Sequence, residues 1–203
     1  HVFIPTSDIQ RMNTINKTRE EVLGITADII HYIRDHTDSC MFSAMDATRT
    51  EGDYLIEVFR TAAAAGATII NVPDTVGVIS PSGMKSLITR IARDVDCPID
   101  VHCHNDFGLA VANTIAAVEA GASQVQVTVN GLGERAGNAD LSQTVMIMEA
   151  IYGIKTGIHK ERLVETSRLI SRFSGFGIPP TQPVVGENVF SHESGIHSHG
   201  VIK

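Results

Sequence analysis

Short apolar runs alternate with longer segments of helical spacing, five times over, and this alternation restricts the chain more than any other feature. The runs lie at about 2–4, 40–43, 68–72, 98–103 and 124–129. Each is too short for a buried helix, and each is followed by a segment long enough to be one. Strands separated by helices pair in parallel, because parallel neighbours need a crossover where antiparallel ones need only a turn. The helix starts are marked. Thr18-Arg19-Glu20-Glu21 has the form of a capping box, Thr50 and Asp53 open a second helix, and Ser80-Pro81 sets a cap ahead of a proline in the first turn. Val22, Ile25, Ile29 and Ile33, then Leu55, Val58, Phe59 and Ala62, then Met84, Leu87, Ile88 and Ile91, each fall on one face. Two helices end at Ala65-Gly66-Ala67 and Ala120-Gly121-Ala122, where glycine can turn left-handed before the next strand.

A parallel α/β chain is either an open sheet or a barrel. No Gly-x-Gly-x-x-Gly follows the first run, whereas polar clusters stand just past most of them: Thr6-Ser7-Asp8, Asp46 to Arg49, Asp74-Thr75, His104-Asn105-Asp106 and Asn130. Polar residues at the carboxyl ends of many strands predict a (β/α)8 TIM barrel, whose site is assembled there. Five units cannot close eight strands, and His1 already reads as strand interior, so the chain is expected to begin mid-domain with three units missing or supplied by another chain. The pattern changes after about residue 153, to a helix around 160–173, a Pro- and Gly-rich passage, and a stretch with three histidines from 187 to 200. Residues 1–153 are therefore expected to be barrel, and 154–203 a connector with the start of a second element.

Composition excludes several classes. The 203 residues are 43% hydrophobic and 19% charged, ordinary for a domain with a sizeable core. With 16 Lys and Arg against 23 Asp and Glu the net charge is −7, and no basic run offers a track for nucleic acid. Apolar stretches such as Ile69–Pro73 and Val125–Val129 fall far short of the roughly 20 residues that span a bilayer, and no signal-peptide pattern opens the chain. Cys40, Cys97 and Cys103 lack the paired spacing of a disulfide scaffold or zinc knuckle, which fits a reducing, cytoplasmic setting.

Two segments carry chemistry. In His102-Cys103-His104-Asn105-Asp106, side chains two apart on a strand share a face, so His102 and His104 point together and Cys103 points away. Converging neutral imidazoles are half of a metal's coordination shell, and they are equally two histidines hydrogen-bonded to neighbouring loops. The second segment is Asn130-Gly-Leu-Gly-Glu-Arg-Ala-Gly-Asn138. Its glycines let backbone approach a bound group, while Asn130, Glu134, Arg135 and Asn138 supply oxygen ligands and a forked cation. A polar turn explains that composition as well as an anion or metal site does.

Taken together, His102 to Asn113, Asn130 to Asn138, Pro73-Asp-Thr-Val-Gly77 and His192-Glu-Ser-Gly-Ile-His197 resemble the 2-isopropylmalate, homocitrate and citramalate synthases, over nearly the whole chain from Thr6 to Val201. The resemblance implies a Claisen-type condensation of acetyl-CoA with a 2-oxo acid, with 3-methyl-2-oxobutanoate first among the acceptors, in a barrel of which this chain holds strands four to eight. It implies a divalent cofactor (Mg²⁺, Mn²⁺, Zn²⁺ or Co²⁺) on His102, His104 and Asn138, with a further aspartate ligand and a catalytic arginine on a first strand outside the chain. Thr75 matches the threonine that binds the 2-oxo acid's carboxylate. His197 matches a catalytic histidine brought in from the second subdomain, often from the partner protomer of a homodimer, and Glu134 stands as a second catalytic candidate. Where most relatives carry a glutamate beside the catalytic arginine, this chain has Met45. Either Asp46 or Glu134 then replaces that charge partner or activity falls, and Met45 with Ser43 can wall an aliphatic acceptor. A lyase on the same metal barrel, and a non-catalytic barrel module, are the other readings.

Overall fold

In the computed structural model, which describes residues 1–192, the expected runs form one fully parallel sheet: β1 (Val2–Pro5), β2 (Met41–Met45), β3 (Ile69–Asp74), β4 (Ile99–Cys103) and β5 (Gln124–Gln126). The strands lie side by side in chain order. Sequential order is that of a barrel wall; a doubly wound sheet would reverse direction at a switch point. The helices that follow the strands are α1 (Arg19–Arg34), α2 (Gly52–Ala64), α3 (Pro81–Asp94), α4 (Ala110–Glu119) and α5 (Leu141–Ala150), with α6 (Leu163–Ser174) beyond them.

Strand alternation divides the sheet into two surfaces. Phe42 and Ala44, Ile70 and Val72, and Val101 and Cys103 point to the helices, and all six are at most 1% exposed. Ser43 with Met45, Asn71 with Pro73, and Asp100 with His102 point the other way. The register stacks them in levels: Ser43 pairs with Asn71 and Asn71 with Asp100, and one step on, Pro73 pairs with His102 and His102 with Gln126.

Local chemistry sets most element boundaries as expected. Thr18 and Glu21 form a complete capping box, Ser80 accepts the Gly83 N–H ahead of Pro81, and Gly66 and Gly121 turn left-handed at φ 103° and 111°. Three boundaries or faces differ. The cap of α2 is Glu51, whose carboxylate accepts the N–H groups of Asp53 and Tyr54. The last strand stops at Gln126, three residues short of Val129, because the chain leaves β4 to bond with the returning loop, Thr128 N to Ala139 O at 2.9 Å. In α1 the stripe that meets the sheet is Val22, Thr26 and Ile30, while Ile25 and Ile29 stay 39% and 38% exposed. The i, i+4, i+8 stripe faces the sheet, and the other two isoleucines border an apolar cavity of about 330 Å³ at the open β1 edge. The segment after residue 153 folds back: the Asn130 amide donates to Ser167 O on α6 at 3.0 Å. Among the described residues no helix is long and apolar enough to cross a membrane.

Candidate active site

The strand ends are organised by buried carboxylates. Asp46, at φ 67°, is fully buried and accepts both Arg49 Nε at 2.8 Å and Arg49 Nη2 at 2.7 Å, together with the Ser7 hydroxyl. It is thus tied both to Arg49 in its own loop and to Ser7 past the end of β1. Asp74 accepts Thr48 Oγ1 at 2.9 Å and the N–H groups of Val78 and Ile79, which ties the β3 loop to the β2 loop. Arg135 straps the third loop down. Its guanidinium grips Asp106 through Nε at 2.6 Å and Nη2 at 2.8 Å and also donates to Thr75 O at 2.9 Å, and it holds the Asp106 carboxyl below the usual carboxylate range.

Beneath these loops lies a cavity of about 200 Å³, lined by Ser43, Met45, Thr75, His102, His104 and Gln126 among others. The strand alternation thus brings four of the expected residues, Ser43, Thr75, His102 and His104, onto one space. His102 Nε2 and His104 Nε2 stand 3.1 Å apart. Two nitrogens that share one ion at about 2.1 Å each lie about 3.0–3.4 Å apart when the angle between them is near right-angled or tetrahedral. The spacing fits that of two ligands. His104 is held below the ordinary histidine range, first by burial and then by the neighbouring His102 and Arg135, so its neutral, ligating form is favoured.

Asn138 reaches the same strand end through backbone, as an isolated antiparallel bridge partner of His104. Its Oδ1 is buried without a hydrogen-bond partner, and a Cβ on Gly133 would come within 2.6 Å of its amide nitrogen, so glycine is needed there for the loop to close over it. An unpartnered buried amide oxygen and a pair of converging imidazoles are donor types that suit a divalent ion. Among the described residues no three His, Cys, Asp or Glu side chains gather at metal-ligand spacing.

The Thr75 hydroxyl accepts the Asp46 N–H at 2.9 Å, which leaves its own proton free to donate into the cavity. The Glu134 side chain is 78% exposed and pairs with Arg135 at 3.4 Å, and its charge is among those that act on His104. His197 lies outside the described residues. Cys103, between the two histidines, points into the core, where burial pushes its thiol up to about 12.

Three residues that sequence reasoning passed over complete the concave surface. Asn71, Asp100 and Gln126 lie beside His102, and Asp100 Oδ2 accepts from Asn71 Nδ2 and Gln126 Nε2, each at 2.6 Å. Burial pushes the Asp100 carboxyl upward, against the pull of those two amides. The signal was parity: Asp100 stands two residues before His102 and so shares its face.

Comparison with known proteins agrees with this architecture. The HMGL-like family model matches residues 1–170. A probable 2-isopropylmalate synthase from Methanosarcina mazei is 64% identical over 203 residues, covering 100% of this chain and 39% of that protein. A homocitrate synthase from Methanopyrus kandleri is 49% identical over 201 residues, 99% of this chain and 51% of that protein. Among solved structures, an HMG-CoA lyase from Acinetobacter baumannii, in complex with coenzyme A and 3-methylmalate, superposes with a TM-score of 0.78 at 21% identity, over 95% of this chain and 67% of that one. The chain thus spans about two fifths of the first relative's length.

Proposed function

This chain belongs to the HMGL-like family, and on that premise we propose that its protein condenses acetyl-CoA with a 2-oxo acid, 3-methyl-2-oxobutanoate giving 2-isopropylmalate. The observation that carries the reading is the pair of imidazole nitrogens 3.1 Å apart on a cavity that also holds Thr75 and Met45. His102, His104 and Asn138 would hold a divalent ion, Mg²⁺, Mn²⁺, Zn²⁺ or Co²⁺, which when bound supplies Lewis-acid polarisation of the acceptor's ketone.

The remaining work falls to side chains. Thr75 donates its free hydroxyl proton to the acceptor's carboxylate and so sets its orientation. Met45 and Phe3 give the cavity apolar wall, which suits a branched aliphatic side chain better than a second carboxylate. A base removes one proton from the acetyl methyl group, the resulting carbon bonds to the ketone carbon, and the ketone oxygen takes up a proton. Water then cleaves the thioester, releasing CoA and drawing the condensation forward. His197 is our candidate for the base, with Glu134 the second. Residues 1–153 form the catalytic part in this reading and 154–203 the connector. The protein acts in the cytoplasm as a homodimer.

The test is release of free CoA thiol by the whole protein with Mn²⁺ and a panel of 2-oxo acids. The highest kcat/KM is expected for 3-methyl-2-oxobutanoate. Preference for 2-oxoglutarate would instead make it a homocitrate synthase, preference for pyruvate a citramalate synthase, and no thiol release with any acceptor would remove the condensing reading.

A further inference from the structure

Seven polar side chains form one hydrogen-bonded line across the concave face: His1, Ser43, Asn71, Asp100, Gln126, His102 and His104. Most of its links could run either way, because hydroxyls, amides and imidazoles both donate and accept. Asp100 breaks that ambiguity. Its Oδ2 meets two amide groups at 2.6 Å, and a carboxylate oxygen accepts, so both amides turn their NH₂ ends inward. Their carbonyl ends then face outward in opposite directions, Asn71 Oδ1 to Ser43 Oγ at 2.8 Å and Gln126 Oε1 to His102 Nδ1 at 2.9 Å. A carbonyl oxygen only accepts, so His102 must carry its proton on Nδ1 and keep the Nε2 lone pair open toward His104. On the other arm the Ser43 proton is directed to Asn71, leaving the Ser43 oxygen to accept from His1 Nε2 at 2.7 Å.

The two histidines are not equivalent in this respect. His102 has a partner that selects its tautomer, whereas His104 Nδ1 is buried without one. Without an ion, His104 Nε2–H is the donor of the 3.1 Å contact and His102 Nε2 the acceptor.

We propose that Asp100 is a positioning residue: acting through the Gln126 amide, it locks His102 in the Nδ1–H tautomer and so presents Nε2 to a divalent ion before the ion arrives. Asp100 itself does not touch the ion's position. Its part is to fix which way two amides point, and it does so from the floor of the sheet, where it is fully buried. The idea of an ion rests on the function proposed above; the tautomer lock does not.

The two can be tested apart. In the full 203-residue chain without metal, long-range ¹⁵N–¹H correlation of the imidazoles, at a pH where they are neutral, should show His102 as the Nδ1–H form. Asp100→Asn keeps one acceptor oxygen for both amides and should retain that form. Asp100→Leu, of similar size with no acceptor, should release it to a mixture of tautomers. Mn²⁺ titration followed by water-proton relaxation should then show about 10–100-fold weaker binding in Asp100→Leu, the range for losing an orienting partner, and near-native binding in Asp100→Asn. Should Asp100→Leu not fold, Gln126→Met removes the link itself and should release the tautomer in the same way. An Nε2–H His102 in the unsubstituted chain, or a lock that survives both Asp100→Leu and Gln126→Met, would overturn the proposal. A lock that behaves as expected in a chain indifferent to Mn²⁺ would uphold the relay and count against the proposed function instead.

Discussion

Along β3 and β4 the residues alternate between two environments a single peptide apart. Ile70, Val72, Val101 and Cys103 face the helices and share an apolar interior; Asn71, Asp100 and His102 face the cavity and share hydrogen bonds. The first set gains stability from removing carbon surface from water, which needs volume and shape but no particular partner. In the second set Asn71 at 2% and Asp100 at 0% exposure are as inaccessible as the core, a burial made tolerable by the hydrogen bonds that Asp100 Oδ2 accepts from Asn71 and Gln126. One surface therefore holds the fold and the other holds an arrangement of protons. The same strand can serve both because its side chains alternate.

If that division is right, adjacent residues on β2 should fail in different ways. Phe42 is 1% exposed and meets the Phe59 ring edge-on at 6.4 Å, so Phe42→Ala should cost about 3–5 kcal/mol, as large-to-small changes in packed cores do. Its neighbour Ser43 should cost only about 1 kcal/mol on replacement by alanine, the value of a hydrogen bond whose partner Asn71 keeps its Asp100 link. Urea unfolding of the two variants gives the comparison directly. Equal losses would mean that the concave surface carries as much of the stability as the core.

How far this division was legible from residues alone varies with the kind of interaction. Strand runs, caps and the His-x-His alternation are local patterns, and Thr18, Ser80, His102 and His104 stand as that reading has them. The stripe of α1 was misjudged because Val22 begins two possible helical faces, one through Ile25 and Ile29 and one through Thr26 and Ile30, and only docking against the sheet selects the second. Asp100 and Gln126 were passed over for a related reason. Each is a lone polar residue at the edge of an apolar run, and only the parallel register brings Asn71, Asp100 and Gln126 within reach of one another.

A sharper version of the comparison uses one strand and three consecutive residues. His102 and His104 open on the cavity, while Cys103 between them is 0% exposed. Cys103 should resist iodoacetamide in the folded chain at pH 8 and react on unfolding, with modification at each site read by peptide mass spectrometry. Rapid alkylation in the native chain would show that the face carrying residue 103 opens to solvent. Cys103→Ala should leave Mn²⁺ affinity within about threefold, since a side chain on the opposite face has no route to the ion.

The smallest effect concerns what the helix side does to an ionisable group. Tyr54 on α2 is 3% exposed, with the Arg19 guanidinium 4.7 Å from its ring centre, and burial raises its phenol from 10.0 to about 12 despite the two nearby arginines, Arg11 and Arg19. Between those two values the unfolded chain has released a proton that the folded chain still holds, so rising pH favours unfolding. The contribution is complete below pH 10 and declines as pH rises toward about 12. Tyr54→Phe lacks the phenol and should lose the part of the alkaline decline that belongs to it, whatever constant offset the missing hydroxyl introduces. Unfolding free energies measured for both chains across that interval separate slope from offset. Parallel curves would mean that the Tyr54 hydroxyl is solvated in the folded chain, and that water reaches further into the helix side than the packing of its apolar neighbours allows.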